Sequence, residues 1–261
     1  MSEKKFYTAK EDRCFKALFL QESNKDLLKA LLEDALKIKL MDITLINSIK
    51  ANNNRKLKFK YLDCIVQTSD NKRIGIEINS TNLDYYQIKN SCYIFDDYSS
   101  NLKAGNNYDA SMQFIQINFT FADNTSNKIK DEYYLQTSYG KKFVDNLLII
   151  EYNMKKIEEK WVDKDEQFIK DNLFLVSIDR NLEELNLISK YDERIKKYMK
   201  ELKRVNENVK YRQYMTEDEK RIIEENTIRS IATRKGLEEG RKLGIEQGIE
   251  QGIEKGKQET R

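Results

Sequence analysis

Alternation of apolar and polar side chains is cleanest between Tyr61 and Asn79, in YLDCIVQTSDNKRIGIEIN. Successive side chains of a strand point to opposite faces, so Leu62, Cys64 and Val66 share one face of a first run. Ile74, Ile76 and Ile78 share one face of a second. A three-residue loop at Ser69, Asp70 and Asn71 pairs Leu62 with Ile78, Cys64 with Ile76 and Val66 with Ile74, and one face becomes wholly apolar. The same register sets Asp63 opposite Glu77, and Tyr61 opposite Asn79, on the other face. A two-residue loop at Asp70 and Asn71 would pair Asp63 with Ile78 and mix the faces, because a slip of one residue reverses every side chain. Two like charges directly opposite destabilise a sheet, and a bound cation or a raised pKa relieves them.

Helical spacing governs the stretches on either side. Thr8 to Glu22 reads as a helix through Phe15, Leu18 and Phe19, and Asn24 as the N-cap of a second one carrying Leu27, Leu28, Leu31, Leu32 and Leu36. Lys50 to Lys56, with Asn52, Asn53 and Asn54 in a row, reads as a loop. Asp84 to Leu102 is a helical candidate that stops before Gly105. Met112 to Thr120 reads as an internal strand with apolar residues on both faces, although Gln116 and Asn118 share a face with Phe114. After a loop from Ala122 to Lys130, Tyr133 to Thr137 and Asn146 to Tyr152 are further strand candidates. These elements fit an α/β or α+β core over residues 1–155.

From about Lys155 the pattern is charged and helical, over Ile157 to Leu175, Leu182 to Asn206 and Glu217 to Leu237. Asn181 reads as an N-cap, and Thr216 with Glu219 as a capping box. This helical region occupies residues 156–235. In the tail, residues 236–261, glycine recurs at 236, 240, 244, 248, 252 and 256. Each glycine weakens a helix by about 1 kcal/mol, so an isolated tail helix forfeits on the order of 5 to 6 kcal/mol. Two readings fit: a helix that packs its small-residue stripe on a partner, giving a homo-oligomer, or a solvated low-complexity extension.

Composition narrows the chemistry. The 261 residues include no histidine, so histidine triads, histidine-built zinc sites and histidine general bases are excluded. A net charge of +3 neither argues for nor excludes nucleic acid. Charged residues at 35% and a mean hydropathy of −0.78, with no long apolar run and no signal-like N-terminus, lead us to expect a cytoplasmic protein with no membrane partner. Cys14, Cys64 and Cys92 lack CxxC spacing and read as buried, reduced thiols.

The candidate chemistry therefore rests on oxygen. A magnesium-like ion takes one or two carboxylates with water and substrate phosphate, and it serves phosphoryl chemistry without histidine. Asp63, the hairpin and the triplet Glu77-Ile78-Asn79 resemble the D…(D/E)xK signature of PD-(D/E)XK nucleases. DRCFKALF from Asp12 to Phe19, IQINF from Ile115 to Phe119 and the tail GIEQGIEQGIEKG extend the resemblance to the PD-(D/E)XK nuclease family transposases, related to the recombination-promoting (Rpn) nucleases. The resemblance implies an αβββαβ-type, restriction-endonuclease-like core and Mg²⁺-dependent hydrolysis of DNA, with Mn²⁺ as an alternative ion. It implies that Asp63 and Glu77 are metal ligands, with the carbonyl of Ile78 as a third, and that Asp12 lies near the site. Asn79 stands where the signature has lysine and many members of the family have glutamine. An amide orients water or phosphate but carries no charge and cannot act as a base. Lys89 on the following helix is a candidate for the missing charge, against the simpler reading of a solvated lysine. The alternative function is a weakly active or inactive module that binds DNA or protein.

Overall fold

The computed structural model describes residues 5–46, 63–80, 86–101, 112–121 and 126–259. The expected loop at Lys50 to Lys56, together with Tyr61, Leu62 and Gly105, lies outside them. Two compact units divide the chain, Met1–Arg212 and Gln213–Arg261.

The first unit is a mixed α/β structure. Helices α1 (Asp12–Phe19) and α2 (Lys25–Leu36) precede strands β1 (Ile43–Ile46), β2 (Cys64–Thr68) and β3 (Lys72–Asn79). Helix α3 (Tyr86–Ser100) leads to β4 (Gln113–Thr120), β5 (Lys130–Tyr133) and β6 (Leu147–Asn153). One six-stranded sheet has the order β1-β2-β3-β4-β6-β5. The meander β1-β2-β3 is antiparallel, β3, β4 and β6 are parallel, and β5 closes the far edge antiparallel to β6.

The hairpin has the register that its pattern dictates: Cys64 faces Ile76 and Val66 faces Ile74. Its loop is Ser69 to Asn71, and Asn71 takes the left-handed φ of 63° that asparagine tolerates best after glycine. Thr68 secures the turn, its hydroxyl donating to Asp70 Oδ1 (2.6 Å) and accepting from the Lys72 N–H (2.9 Å).

The two faces of the sheet differ in chemistry. Ile74, Ile76, Ile78, Ile117, Phe119, Ile150 and Tyr152 are buried on one, where the Tyr152 hydroxyl donates to the Ala35 carbonyl of α2 at 2.6 Å. The other face lies under α3 and carries a polar band at the carboxyl ends of the parallel strands. There Glu77, Asn79, Gln116, Asn118, Thr120 and Glu151 are all buried. Gln116 and Asn118, anomalous for an internal strand, belong to this band, and Gln116 donates to Asn118 Oδ1 at 2.9 Å.

Several elements depart from their patterns. Helix α1 begins only at Asp12, because the Thr8 N–H bonds Glu11 Oε2 (2.9 Å) in a turn that precedes it. Asn24 occupies the N-cap position of α2 without capping it, since its amide donates to the Leu18 carbonyl at 2.7 Å. Strand β1 has no counterpart in the sequence expectations. The strand expected over Tyr133 to Thr137 is displaced: β5 ends at Tyr133, and beyond it lies a single bridge between Gln136 and Lys142. Its Tyr133 and Leu135 are exposed, because an edge strand with a solvated face has no core to pack against. Cys14 and Cys64 are buried thiols, whereas Cys92 is half-buried.

The helix expected over Ile157 to Leu175 is three: α4 (Met154–Val162), α5 (Glu166–Asp171) and α6 (Leu173–Ser177). Lys164, at φ 54°, breaks the first from the second, and Asp165 caps the second through the Phe168 N–H at 3.1 Å. Leu182 to Asn206 is likewise two helices, α7 (Leu182–Ile188) and α8 (Arg194–Glu207). Asn181 caps α7 in a complete capping box with Glu184. These helices join α1 and α2 in one layer: Tyr198 of α8 is fully buried against Phe19, ring centroids 5.9 Å apart, and donates to the Ser177 carbonyl. Asn206 grips the N-terminal segment by accepting from the Tyr7 N–H and donating to its carbonyl, both at 2.8 Å.

The last helix, α9, runs Val209–Glu259 and is capped by Asn208, whose Oδ1 accepts from the Lys210 and Tyr211 N–H groups. Thr216, expected to start a helix, lies inside it. The tail is helical through Gly236, Gly240, Gly244 and Gly248, and among the described residues nothing beyond the helix's own neighbouring backbone packs against any of the four. No helix among the described residues is long and apolar enough to cross a membrane.

Candidate active site

Strands β2 and β3 bring two buried acids together. Asp63 immediately precedes β2, and its Oδ2 accepts the Ile78 N–H at 2.8 Å. Glu77 Oε2 in turn accepts the Asp63 N–H at 3.3 Å. Each carboxylate is thus held by a main-chain donor of the opposing strand. A residue's N–H and C=O point to the same side of a strand, so the Ile78 carbonyl also faces the side from which Asp63 reaches.

Two ammonium groups close the site. Lys16 of α1 reaches Asp63 Oδ1 at 2.9 Å and Asp12 Oδ1, one helical turn earlier, at 2.7 Å. Lys89 of α3 reaches Glu77 Oε1 at 2.5 Å and Asn79 Oδ1 at 3.4 Å. Asp63, Glu77, Asn79 and the Ile78 backbone therefore lie together, and Asp12 joins them through Lys16. Lys89 is not a solvated lysine.

Burial raises the carboxyl pKa of Asp63, and Glu77 and Asp12 add to the rise while Lys16 opposes it. Burial likewise raises Glu77, against the attraction of Lys89. For Lys16, burial disfavours the ammonium but Asp63 and Asp12 outweigh it, and the pKa rises. Tyr93 of α3, its ring 5.6 Å from Lys89 Nζ, is held protonated by burial and by the same two acids. The Cys64 thiol, pushed up to about 12 by burial and by Asp63, is no nucleophile at neutral pH.

Beyond Asn79 the polar band continues. Asn79 Nδ2 donates to Thr120 Oγ1 at 3.2 Å, and the Thr120 hydroxyl donates to Glu151 Oε1 at 3.0 Å. The hydroxyl of Tyr86 reaches the same oxygen at 2.8 Å and that of Tyr133 reaches Glu151 Oε2 at 3.5 Å. Sequence reasoning missed Lys16, Thr120, Glu151 and Tyr86. A signal existed for two of them: Lys16 lies four residues after Asp12, and Glu151 is a lone acid in the apolar run LLIIEYN.

Among the described residues, no three His, Cys, Asp or Glu side chains form a group suited to a metal ion. The donors that do converge are oxygens: the Asp63 and Glu77 carboxylates and, on the same side, the Ile78 carbonyl. That set suits a hard divalent cation that keeps part of its water shell. Without a metal ion, the positive charge beside the two buried acids is supplied by Lys16 and Lys89.

No curated protein and no solved structure matches the chain. The family model described as PD-(D/E)XK nuclease family transposase matches residues 9–231, a span that covers the hairpin, its acids, α3 and the whole sheet, and the chain belongs to that family.

Proposed function

We propose that the protein is a metal-dependent DNA endonuclease of the recombination-promoting, Rpn-related type, acting in the cytoplasm and hydrolysing phosphodiester bonds. The observation that carries this is the buried Asp63–Glu77 pair, locked by reciprocal main-chain bonds across the hairpin. Asp63, Glu77 and the Ile78 carbonyl would hold Mg²⁺, and Mn²⁺ suits the same oxygen donors. When bound, such an ion activates water and offsets the charge that develops on the phosphoryl oxygens. Lys89, bracketed by Glu77 and Asn79, supplies the ammonium that position 79 lacks and turns it toward an incoming phosphate. The backbone bonds to Asp63 and Glu77 keep both carboxylates aimed while substrate binds and leaves.

Supercoiled plasmid tests the proposal. With Mg²⁺ the protein is expected to nick it, and with chelator it is not. Asp63→Ala and Glu77→Ala are each expected to lower the rate by at least about 100-fold. Nicking that survives both substitutions would remove the assignment of these acids.

A second reading, an inactive DNA-binding or protein-interaction module, is favoured by one feature: Lys16 and Lys89 already neutralise both acids. Binding of the plasmid without cleavage under any divalent ion would select it. In either case residues 236–261 are proposed to mediate self-association, since a glycine-rich helix gains little stability alone.

A further inference from the structure

Position 79 raises a problem of polarity. An asparagine side chain offers a donor at one end and an acceptor at the other, and the two ends are interchangeable by a half-turn of the amide. Turned one way, Asn79 presents an oxygen to Lys89 and holds the ammonium beside Glu77. Turned the other way, it presents an NH₂ group that repels the ammonium. Nothing on β3 decides between them.

The decision comes from two strands away. Glu151 on β6 is buried, and its Oε1 is the acceptor for two hydroxyls, those of Thr120 and Tyr86. Thr120 has one hydroxyl proton and spends it on Glu151 Oε1. The Thr120 oxygen can then only accept, so the group that Asn79 turns toward it must be the NH₂. Asn79 Oδ1 is left facing Lys89 Nζ. We propose that Glu151 and Thr120 are positioning residues that fix the Asn79 carboxamide in one orientation, so that Asn79 acts as the bracket for Lys89.

The proposal rests on the nuclease reading only for its effect on rate, and the orientation itself is measured without cleavage. The Asn79 side-chain NH₂ resonances, identified by their loss in Asn79→Asp, are followed in metal-free protein by ¹H–¹⁵N spectroscopy. Thr120→Val and Glu151→Gln are expected to shift them, and Thr120→Ser, which keeps the hydroxyl, to restore them. Unshifted resonances in a folded Thr120→Val protein would overturn the relay. In the plasmid assay, Thr120→Val is expected to lower kcat roughly 10- to 100-fold with little change in KM, as misplacement of a charged group does. Because the effect passes through Lys89, Thr120→Val is expected to cost nothing further in a Lys89→Met background. An equal loss in both backgrounds would overturn the action through Lys89. If the wild-type protein cleaves nothing while the Asn79 resonances still answer to Thr120, the nuclease reading fails and the relay stands.

Discussion

Ionised carboxylates lose hydration when buried, and Asp63, Glu77 and Asp34 all carry that burden with different compensation. At the candidate site the compensation is specific, consisting of two lysines and two backbone donors. At Asp34 of α2 it is weaker: burial pushes the carboxyl up to about 6, opposed by the Phe174 N–H, which Oδ2 accepts at 2.6 Å, and by Lys37. The folded state therefore holds a proton on Asp34 that the unfolded chain releases near pH 4. Its stabilising contribution is complete below that point and is lost as pH rises to about 6. Asp34→Asn keeps an acceptor for Phe174 and removes the charge. It is expected to gain on the order of 1 to 2 kcal/mol over the wild type at pH 8 relative to pH 4, read from urea denaturation at both. An equal difference at the two pH values would refute it. At this scale alternation disclosed the meeting of Asp63 with Glu77, and the resemblance to the nuclease signature singled out Asn79. Thr120 stayed hidden, because nothing near it in the chain indicates that it meets a residue 41 positions away.

At the scale of elements, α3 does most to complete the site, because Lys89 and Tyr86 both come from it. A bidentate pair pins it to the sheet: Arg73 of β3 meets Asp97 with both contacts at 2.7 Å, and both side chains are nearly buried. Removing one partner of such a pair strands the other without water. Asp97→Ala is thus expected to cost about 3 to 5 kcal/mol in chemical denaturation. It should also depress cleavage beyond what the lost stability explains, since Lys89 is displaced with the helix. Stability within about 0.5 kcal/mol of wild type would show that the pair contributes as little as a surface one. The helical spacing of α3 was legible, and so was the hairpin register. Strand β1, only four residues long, was not, and neither were the breaks at Lys164 and Asn172, where isolated backbone angles rather than composition end the helices.

For the whole molecule, the chain divides at residues 212 and 213. The helices between Met154 and Glu207 pack on α1 and α2 and complete the first unit, through Tyr198 on Phe19 and Asn206 on Tyr7. A chain ending at Arg212 is expected to melt cooperatively and to keep the near-ultraviolet dichroism of its buried aromatic residues. If the tail mediates assembly, light scattering will give a smaller mass multiple for a chain ending at Lys235 than for the full one. Equal multiples would remove the assembly role from residues 236–261. By itself the sequence determined the hairpin, its three-residue loop and the meeting of Asp63 with Glu77, because a period of two and a buried apolar face leave one register open. It also excluded histidine chemistry and showed the anomaly at Asn79. Only the tertiary structure decided what surrounds those acids: α1 and α3 each deliver a lysine, and β4 and β6 deliver the hydroxyl and carboxylate that orient Asn79. These groups lie far apart along the chain, and parallel pairing of β3, β4 and β6 is a long-range choice that no local pattern encodes.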